Sequence, residues 1–263
     1  MQLGVQEEHH QIQLQKMKWK SIMVQVGNCG SSGTTTAGLL ASGQSAPGTN
    51  LTNVESWNGT SWSEITEVNT GRNGLKGGGT QTASIFAGGY TTTEVANAES
   101  WNGSSWTEVN DLNTARAYTG GSGTSTSNIL SAGYKVPAPA QSAVETWDGS
   151  SWTEVAEINT ARSELSAAGV SNTSQLIFSG NVPPATGKTE SWDGSAWTEV
   201  ADMANARNSA DGAGIQTSAL VMAGYDGSNN SALSEEFTAA TSFTKINLGQ
   251  VYYNSGSNAF KVT

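Results

Sequence analysis

Short apolar runs recur along the chain, and a glycine closes each of them. A continuous apolar run of this length is typical of a β-strand that is covered on both faces. Stretches of small residues precede four of the runs, and small side chains suit a strand that crowds against its own copies around an axis. The runs are GLLASG, SIFAGG, NILSAG, QLIFSG and ALVMAG, and their closing glycines are assigned to Gly43, Gly88, Gly133, Gly180 and Gly224.

A pair of tryptophans follows each of the first four runs, with a polar turn inside the pair. The turns read NGTS, NGSS, DGSS and DGSA. Asn-Gly and Asp-Gly favour tight hairpins because both central residues can adopt positive φ. Each pair therefore predicts two more strands, which gives units of four strands, here named a to d. The pairs are Trp57/Trp62, Trp101/Trp106, Trp147/Trp152 and Trp192/Trp197.

A recurring arginine sets the period of these units. The segments EVNTGR, DLNTAR, EINTAR and DMANAR end at Arg72, Arg116, Arg162 and Arg207, which are 44 to 46 residues apart. Four-stranded units of this length, repeated several times and without helical periodicity, predict an all-β fold of the β-propeller class with antiparallel blades. We expect an N-terminal extension over residues 1–10 and one propeller over 11–263. The repeats run at about 28–72, 73–116, 117–162, 163–207 and 208–250.

The two chain ends decide the expected number of blades. Residues 11–27 resemble strands c and d, because Leu14 and Trp19 keep the five-residue spacing of the tryptophan pairs. Residues 251–263 can supply strands a and b after a fifth unit in which Phe237 and Phe243 replace the tryptophans. A ring with an open blade edge exposes unpaired backbone, which favours six blades with a composite blade closed by both termini. Five blades are the alternative.

The repeat pattern resembles kelch repeats, in which an apolar strand ends in Gly-Gly before an aromatic residue, a turn, a tryptophan and an arginine. The Gly-Gly pair is complete only at Gly88-Gly89. Units of the form E-x-W-N-G-S-S-W-T-E-V also resemble kelch-like proteins of tailed bacteriophages, especially marine ones. That resemblance implies a virion component such as a tail fibre, an adhesin or a capsid decoration, located in the virion. An extracellular or cell-surface protein is the alternative.

Composition and charge exclude several classes of function. The formal net charge is −10, which would repel nucleic acid and anionic membrane surfaces. No apolar run reaches membrane-spanning length, so we expect no membrane insertion. Cys29 is the only cysteine and His9 and His10 are the only histidines, so neither metal nor cofactor is expected. The partners expected are other virion proteins, further copies of the chain or a cell-surface glycan.

Two sets of residues are candidates for ligand binding. The four repeated arginines could form a ring of guanidinium groups for an anionic ligand. Alternatively they are structural, because Glu55, Glu99, Glu145 and Glu190 each precede an arginine by 17 residues. The b–c loops vary in content, as binding loops on a rigid scaffold do, and their candidate contact residues are Tyr90, Tyr134, Tyr225 and Asp226. The tryptophans are expected to pack between blades.

These features favour a protein that binds or builds and is not an enzyme. Catalytic sites in repeat folds need unlike groups at one point, and no pair among Asp211, Asp226, Glu94 and Glu164 is singled out by its spacing. The expected function is a non-catalytic virion structural or adhesion protein. The alternative is a bacterial extracellular lectin or carbohydrate-active enzyme with the same fold, since glycoside hydrolysis needs only two carboxylates.

Overall fold

A computed structural model describes residues 27–45 and 48–239, together with the backbone of 251–254 and 259–262. Within these residues every regular element is a β-strand, and the strands form successive antiparallel sheets. This confirms the predicted all-β propeller architecture.

The first two blades illustrate the repeating order of strands. In each blade the four strands run from the axis outward in the order a, b, c, d, and each pairs antiparallel with the next. Blade 1 contains β1 (Gly30–Thr34), β2 (Ala37–Ala41), the loop hairpin β3 (Gln44–Ser45) and β4 (Thr49–Asn50), then β5 (Val54–Trp57) and β6 (Trp62–Ile65). Blade 2 contains β7 (Lys76–Thr80), β8 (Ala83–Ala87), β9 (Ala98–Trp101) and β10 (Trp106–Val109).

The later blades repeat this order. Blade 3 contains β11 (Gly120–Gly123), β12 (Asn128–Gly133), β13 (Gln141–Trp147) and β14 (Trp152–Val155). Blade 4 contains β15 (Ser166–Ser171), β16 (Ser174–Phe178), β17 (Thr189–Trp192) and β18 (Trp197–Glu199). Blade 5 has three described strands, β19 (Asp211–Ile215), β20 (Ser218–Met222) and β21 (Ser234–Thr238). A separate two-stranded hairpin joins β22 (Val251–Asn254) and β23 (Ala259–Val262).

Small residues let the inner strands approach one another around the axis. Strand β7 packs between β1 and β11, and β15 packs between β11 and β19. A Cβ atom added at Gly78 would lie 2.6 Å from the carbonyl oxygen of Gly123, and one at Gly121 would lie 2.7 Å from the nitrogen of Gly77. The small-residue stretches of the sequence therefore mark the places where backbones meet backbones.

The hydrophobic core is divided into clusters that lie between neighbouring blades. Leu39 and Val54 of blade 1 pack with Trp101 and Trp106 of blade 2 in one buried cluster. The two following junctions have the same composition, with the tryptophan pair of the later blade packed on the earlier one. At the junction of blades 4 and 5, Phe237 packs where the first tryptophan lies in the other blades. The predicted structural role of the tryptophans is therefore supported by their packing.

The glycine that closes strand b is one residue later in the second unit than the sequence pattern indicated. Gly89 has φ of 119°, matching Gly43, Gly133, Gly180 and Gly224, whereas Gly88 has φ of 67°. The positions that correspond to Gly88 also have positive φ, although they are occupied by Ser42, Ala132, Ser179 and Ala223. Every unit therefore makes the same two-residue left-handed turn, and only the second unit has glycine at both positions.

The structure shows five blades, which was the alternative number, and not the favoured six. Blade 5 lacks a described fourth strand, and β22 and β23 pair with each other in a sheet of their own. The other half of the predicted composite blade falls on residues 11–26, which lie outside the described residues.

Candidate functional site

The repeated arginines are buried at the junctions between blades. Arg72 is fully buried, and its Nη1 lies 2.5 Å from Oε1 of Glu99 on strand β9 of the next blade. Its backbone carbonyl accepts a bond of 2.9 Å from the nitrogen of Gly43 in blade 1. One residue thus holds two blades together. Equivalent ion pairs join Arg116 to Glu145 at 3.0 Å, Arg162 to Glu190 at 2.7 Å and Arg207 to Glu235 at 2.5 Å.

The residues before each arginine wrap the same carboxylate. The backbone nitrogen and side-chain amide of Asn69 donate to Oε2 of Glu99 at 2.8 and 3.0 Å, and the nitrogen of Thr70 donates to Oε1 at 3.3 Å. Asn113 and Asn159 make the corresponding bonds to Glu145 and Glu190. The recurring N-T-x-R sequence is therefore a receptor for one glutamate, and we call it the carboxylate clamp.

The glutamate in each clamp comes from the following unit, 27 to 29 residues after the arginine. The glutamate 17 residues before the arginine belongs to the preceding junction. The expectation of a charge pair between blades is thus supported, with a different partner. A guanidinium enclosed in this way is not open to a ligand, which favours the structural interpretation of all four arginines.

Burial and pairing act in opposite directions on the charges of the clamps. Burial lowers the pKa of Arg116 and of Arg162, while the carboxylates of Glu145 and Glu190 act to raise it. Burial acts to raise the pKa of Glu235, but the bonds from Arg207 and from the Ala204 nitrogen outweigh it and hold that pKa below its ordinary value. The clamps therefore depend on charged partners that water does not reach freely.

The candidate residues of the b–c loops lie on one face of the ring, and their surroundings differ. Tyr90 and Tyr134 are half-buried, and the ring of Tyr134 makes an edge contact with Tyr118 at 6.3 Å between centroids. Tyr225 is exposed. Asp226 is used by its own turn, because its Oδ1 accepts from the nitrogens of Ser228 and Asn229, which holds its pKa below the ordinary value.

The same face carries a column of unlike residues around the axis. Each member of the column has positive φ, and backbone hydrogen bonds of 2.8 to 2.9 Å connect neighbours from blade to blade. Identical backbone positions with different side chains are how a repeat fold makes an asymmetric site. The members are Asn28, Gly74, Tyr118, Glu164 and Ser209.

These residues surround a cavity of about 240 Å³ at the end of the axis, which we call the axial mouth. The ammonium group of Lys76 lies 3.5 Å from Oδ1 of Asp211, and the Ser209 hydroxyl lies 3.0 Å from Oε2 of Glu164. The Tyr118 hydroxyl donates to Oδ1 of Asn73 at 2.5 Å. The mouth therefore combines two carboxylates, one ammonium group and a tyrosine ring within a small concave space.

Two further groups at the mouth are held in their protonated forms. Burial raises the pKa of Tyr118, and the charge of Glu164 raises it further. Burial also raises the pKa of the Cys29 thiol, although nearby Lys76 acts against that shift. Neither group therefore provides an anion at neutral pH, and the negative charge of the mouth belongs to Glu164 and Asp211.

The sequence pattern did not single out the mouth. Asp211 and Glu164 were noted as isolated carboxylates, and the structure brings both into the lining of one cavity. Tyr118, Lys76 and Cys29 were not considered as site residues. The available signal was the column itself, because one repeat position holds five different residue types beside invariant neighbours.

The fold and the site define the chain as a β-propeller with a concave axial mouth. No protein-family model matches the chain, and no curated protein sequence matches it. Within the described residues, no helix has the length and apolar character needed to cross a membrane.

Proposed function

We propose that this chain is a non-catalytic binding component of a virus particle, related to the kelch-like proteins of tailed bacteriophages. It acts as a tail fibre, adhesin or capsid decoration and contacts a cell-surface glycan or a neighbouring subunit. The observation that carries the proposal is the axial mouth, where a rigid repeated framework presents five unlike residues at one repeat position. A rigid scaffold with local variation is how recognition surfaces are built.

The chemistry of the mouth suits a polyhydroxylated ligand. The carboxylates of Glu164 and Asp211 can accept hydrogen bonds from sugar hydroxyls, and Lys76 can donate. The ring of Tyr118 offers an apolar surface beside them. A small cavity with a few polar groups is typical of a site that recognises one or two sugar units. Several copies on one particle would add avidity to weak single contacts.

A ring of constant diameter is needed for such a site. Lys76 belongs to blade 2 and Asp211 to blade 5, so their separation depends on the blades that lie between them. We therefore also propose that the complete ring has six blades, because a closed ring holds the mouth at fixed dimensions whereas an open ring lets blade 5 move.

The second candidate is a lectin or carbohydrate-active enzyme of bacterial origin. The observation that favours it is the presence of two carboxylates, Glu164 and Asp211, in the lining of one cavity. Glycoside hydrolysis uses such a pair, with one acid and one base or nucleophile. The two candidates differ in whether a bound glycan is changed.

A glycan array tests the proposal. The wild-type chain is expected to bind a restricted set of glycans, and Glu164→Gln and Asp211→Asn are each expected to lose at least about tenfold in affinity, since a hydrogen bond to a charged group contributes about 1.5–3 kcal/mol. Thr107→Ala is the matched control, because Thr107 is exposed on the outer strand β10 away from the axis. Equal binding by all four proteins would show that the mouth is not the recognition site.

A further inference from the structure

Blade 5 has an apolar sheet face that the other blades bury. Leu39 and Ile129 on strands b are fully buried against the following blade, whereas Leu220 at the same position of blade 5 is half-buried. The contrast is larger two residues later, where Phe178 is 2% exposed in blade 4 and Met222 is 39% exposed in blade 5. The side of blade 5 that points to the next blade is thus left partly open.

Blade 1 has the complementary open face on its other side. Leu40 is half-buried, whereas Phe86, Leu130 and Ile177 at the same position of the next three blades are fully buried against the preceding blade. A second cavity of about 520 Å³ runs from the axis along this side and is lined by Leu40 and Trp62 among others. The two open faces border one gap in the ring, which we call the slot.

The backbone hydrogen bonds around the axis are interrupted at the same place. The bonds run from Ser209 to Glu164, then to Tyr118 and Gly74, and end at the carbonyl of Asn28. Among the described residues, no backbone hydrogen bond joins Asn28 to Ser209. If blades 1 and 5 were direct neighbours, one more bond of the same kind would connect them. The interruption therefore marks a missing blade.

Glu55 shows that the junction before blade 1 differs from the others. It occupies the position of the clamped glutamates, yet its Oε2 is shielded from solvent and has no hydrogen-bond partner among the described residues. The four arginines of the sequence are all engaged by Glu99, Glu145, Glu190 and Glu235. Asn28 corresponds to Gly74 in the chain of axial bonds, so Val26 stands where a clamp would have its arginine.

We propose that the slot is the docking surface for the two ends of this chain, which together form the sixth blade. The hairpin of β22 and β23 supplies the inner strands, since it is antiparallel and follows blade 5 directly, as strands a and b follow every earlier blade. The segment 11–24 supplies the outer strands and leads into blade 1. The inference rests on the six-blade ring given under the proposed function.

The length of chain available fits this occupant. Twenty-six residues precede residue 27 and twenty-four follow residue 239, and one repeat takes 44 to 46. The blade formed in this way would cover Leu220 and Met222 on one side and Leu40 on the other. It enters the junction with blade 1 without an arginine for Glu55, so that junction is held by apolar contacts and backbone pairing.

Hydrogen exchange of the full-length protein, followed by mass spectrometry, tests the docking without any substitution. Peptides covering 11–24 and 251–262 are expected to exchange at least about a hundredfold more slowly than an unstructured chain, and to lose protection at the same urea concentration as blade 3. Exchange of either segment at the rate of an unstructured chain would overturn the proposal. Sugar binding does not enter this measurement, so it stands or fails separately from the function.

A pair of surface substitutions provides the second test. Met222→Asp places a charge on the proposed docking face and is expected to lower the urea midpoint and to abolish protection of 251–262. Val170→Asp is the matched control, because Val170 is a larger exposed apolar fraction, 52%, on blade 4 away from the slot. The control is expected to leave both readouts unchanged. Equal tolerance of the two substitutions would overturn the proposal.

Discussion

At the scale of single residues, the carboxylate clamp explains why charged groups recur inside a protein that has few of them. The carboxylate of Glu99 accepts from Arg72, from both nitrogens of Asn69 and from the Thr70 backbone. A buried ion pair stabilises only when such additional bonds satisfy the charges, since desolvation is costly. The clamp meets that condition and also sets the register of one blade on the next.

The first prediction concerns the clamp between blades 2 and 3. Arg116→Met should cost about 3–5 kcal/mol of unfolding free energy, because it leaves the buried Glu145 carboxylate without its cation. The double substitution with Glu145→Leu should recover part of that loss. Recovery is incomplete because the nitrogens of Asn113 and Thr114 lose their acceptor. Urea denaturation measures both, and a double variant that is less stable than Arg116→Met would contradict this account.

The second prediction concerns Glu55, which has no clamp. Burial raises the pKa of Glu55, and the nearby Glu64 raises it further. A carboxyl group whose pKa is raised on folding favours the folded state when protonated, and that contribution is lost as pH rises from the ordinary value near 4.3 through the folded value. Glu55→Gln keeps the neutral form, so it should increase stability at pH 7 and lose its advantage below about pH 4.

Thermal denaturation at several pH values measures this difference. Glu108→Gln is the control, because Glu108 is an exposed glutamate on strand β10. A variant Glu55→Gln that is less stable than the wild type at pH 7 would show that the ionised carboxylate has a partner in the complete ring.

At the scale of secondary-structure elements, the hairpin of strands c and d is the unit that joins blades. Its two tryptophans lie 5.1 to 5.4 Å apart between ring centroids and cover the strands of the preceding blade. The indole nitrogen of Trp106 donates to the Thr66 carbonyl of blade 1 at 3.0 Å. The aromatic pair therefore contributes apolar burial and a hydrogen bond at every junction that has it.

The third prediction tests this role. Trp106→Ala should cost about 3–5 kcal/mol, the range for truncating a buried aromatic side chain. Its glycan binding, measured on the fraction that remains folded, should stay unchanged. Thr107→Ala serves again as the control on the same strand. A variant that loses the glycan while keeping its stability would mean that Trp106 is a surface for stacking sugars.

Strands and hairpins could be predicted from the sequence because their signals are local. Apolar runs and the Asn-Gly and Asp-Gly turns act within a few residues, and the structure has strands at those places. The arginine partners could not be predicted, because in a periodic sequence every pair of repeat positions has a constant spacing. The offset of 17 within a unit and the offset of about 28 between units look alike, and only the packing of blades distinguishes them.

The axial mouth escaped prediction for the opposite reason. Repeat analysis selects positions that stay the same, whereas the mouth is formed by a position that changes, from Gly74 to Tyr118 to Glu164. That position faces the axis in every blade only because all five residues adopt positive φ. A search for the most variable position beside invariant neighbours would have found it.

At the scale of the whole molecule, a ring of similar blades separates stability from recognition. The clamps and tryptophans at the junctions are repeated and hold the scaffold. The mouth residues depart from the repeat, so their substitution changes the site at little cost to the ring. Such a division allows recognition to vary while the fold is maintained.

The central claim is that the mouth binds a ligand without changing it. The most direct measurement incubates the purified full-length protein with a panel of glycosides and polysaccharides, and follows binding and product release in the same samples. We predict saturable binding with every glycan recovered intact. Steady product release that is abolished by Glu164→Gln or Asp211→Asn, while Thr107→Ala keeps it, would contradict the claim and identify the protein as a glycosidase.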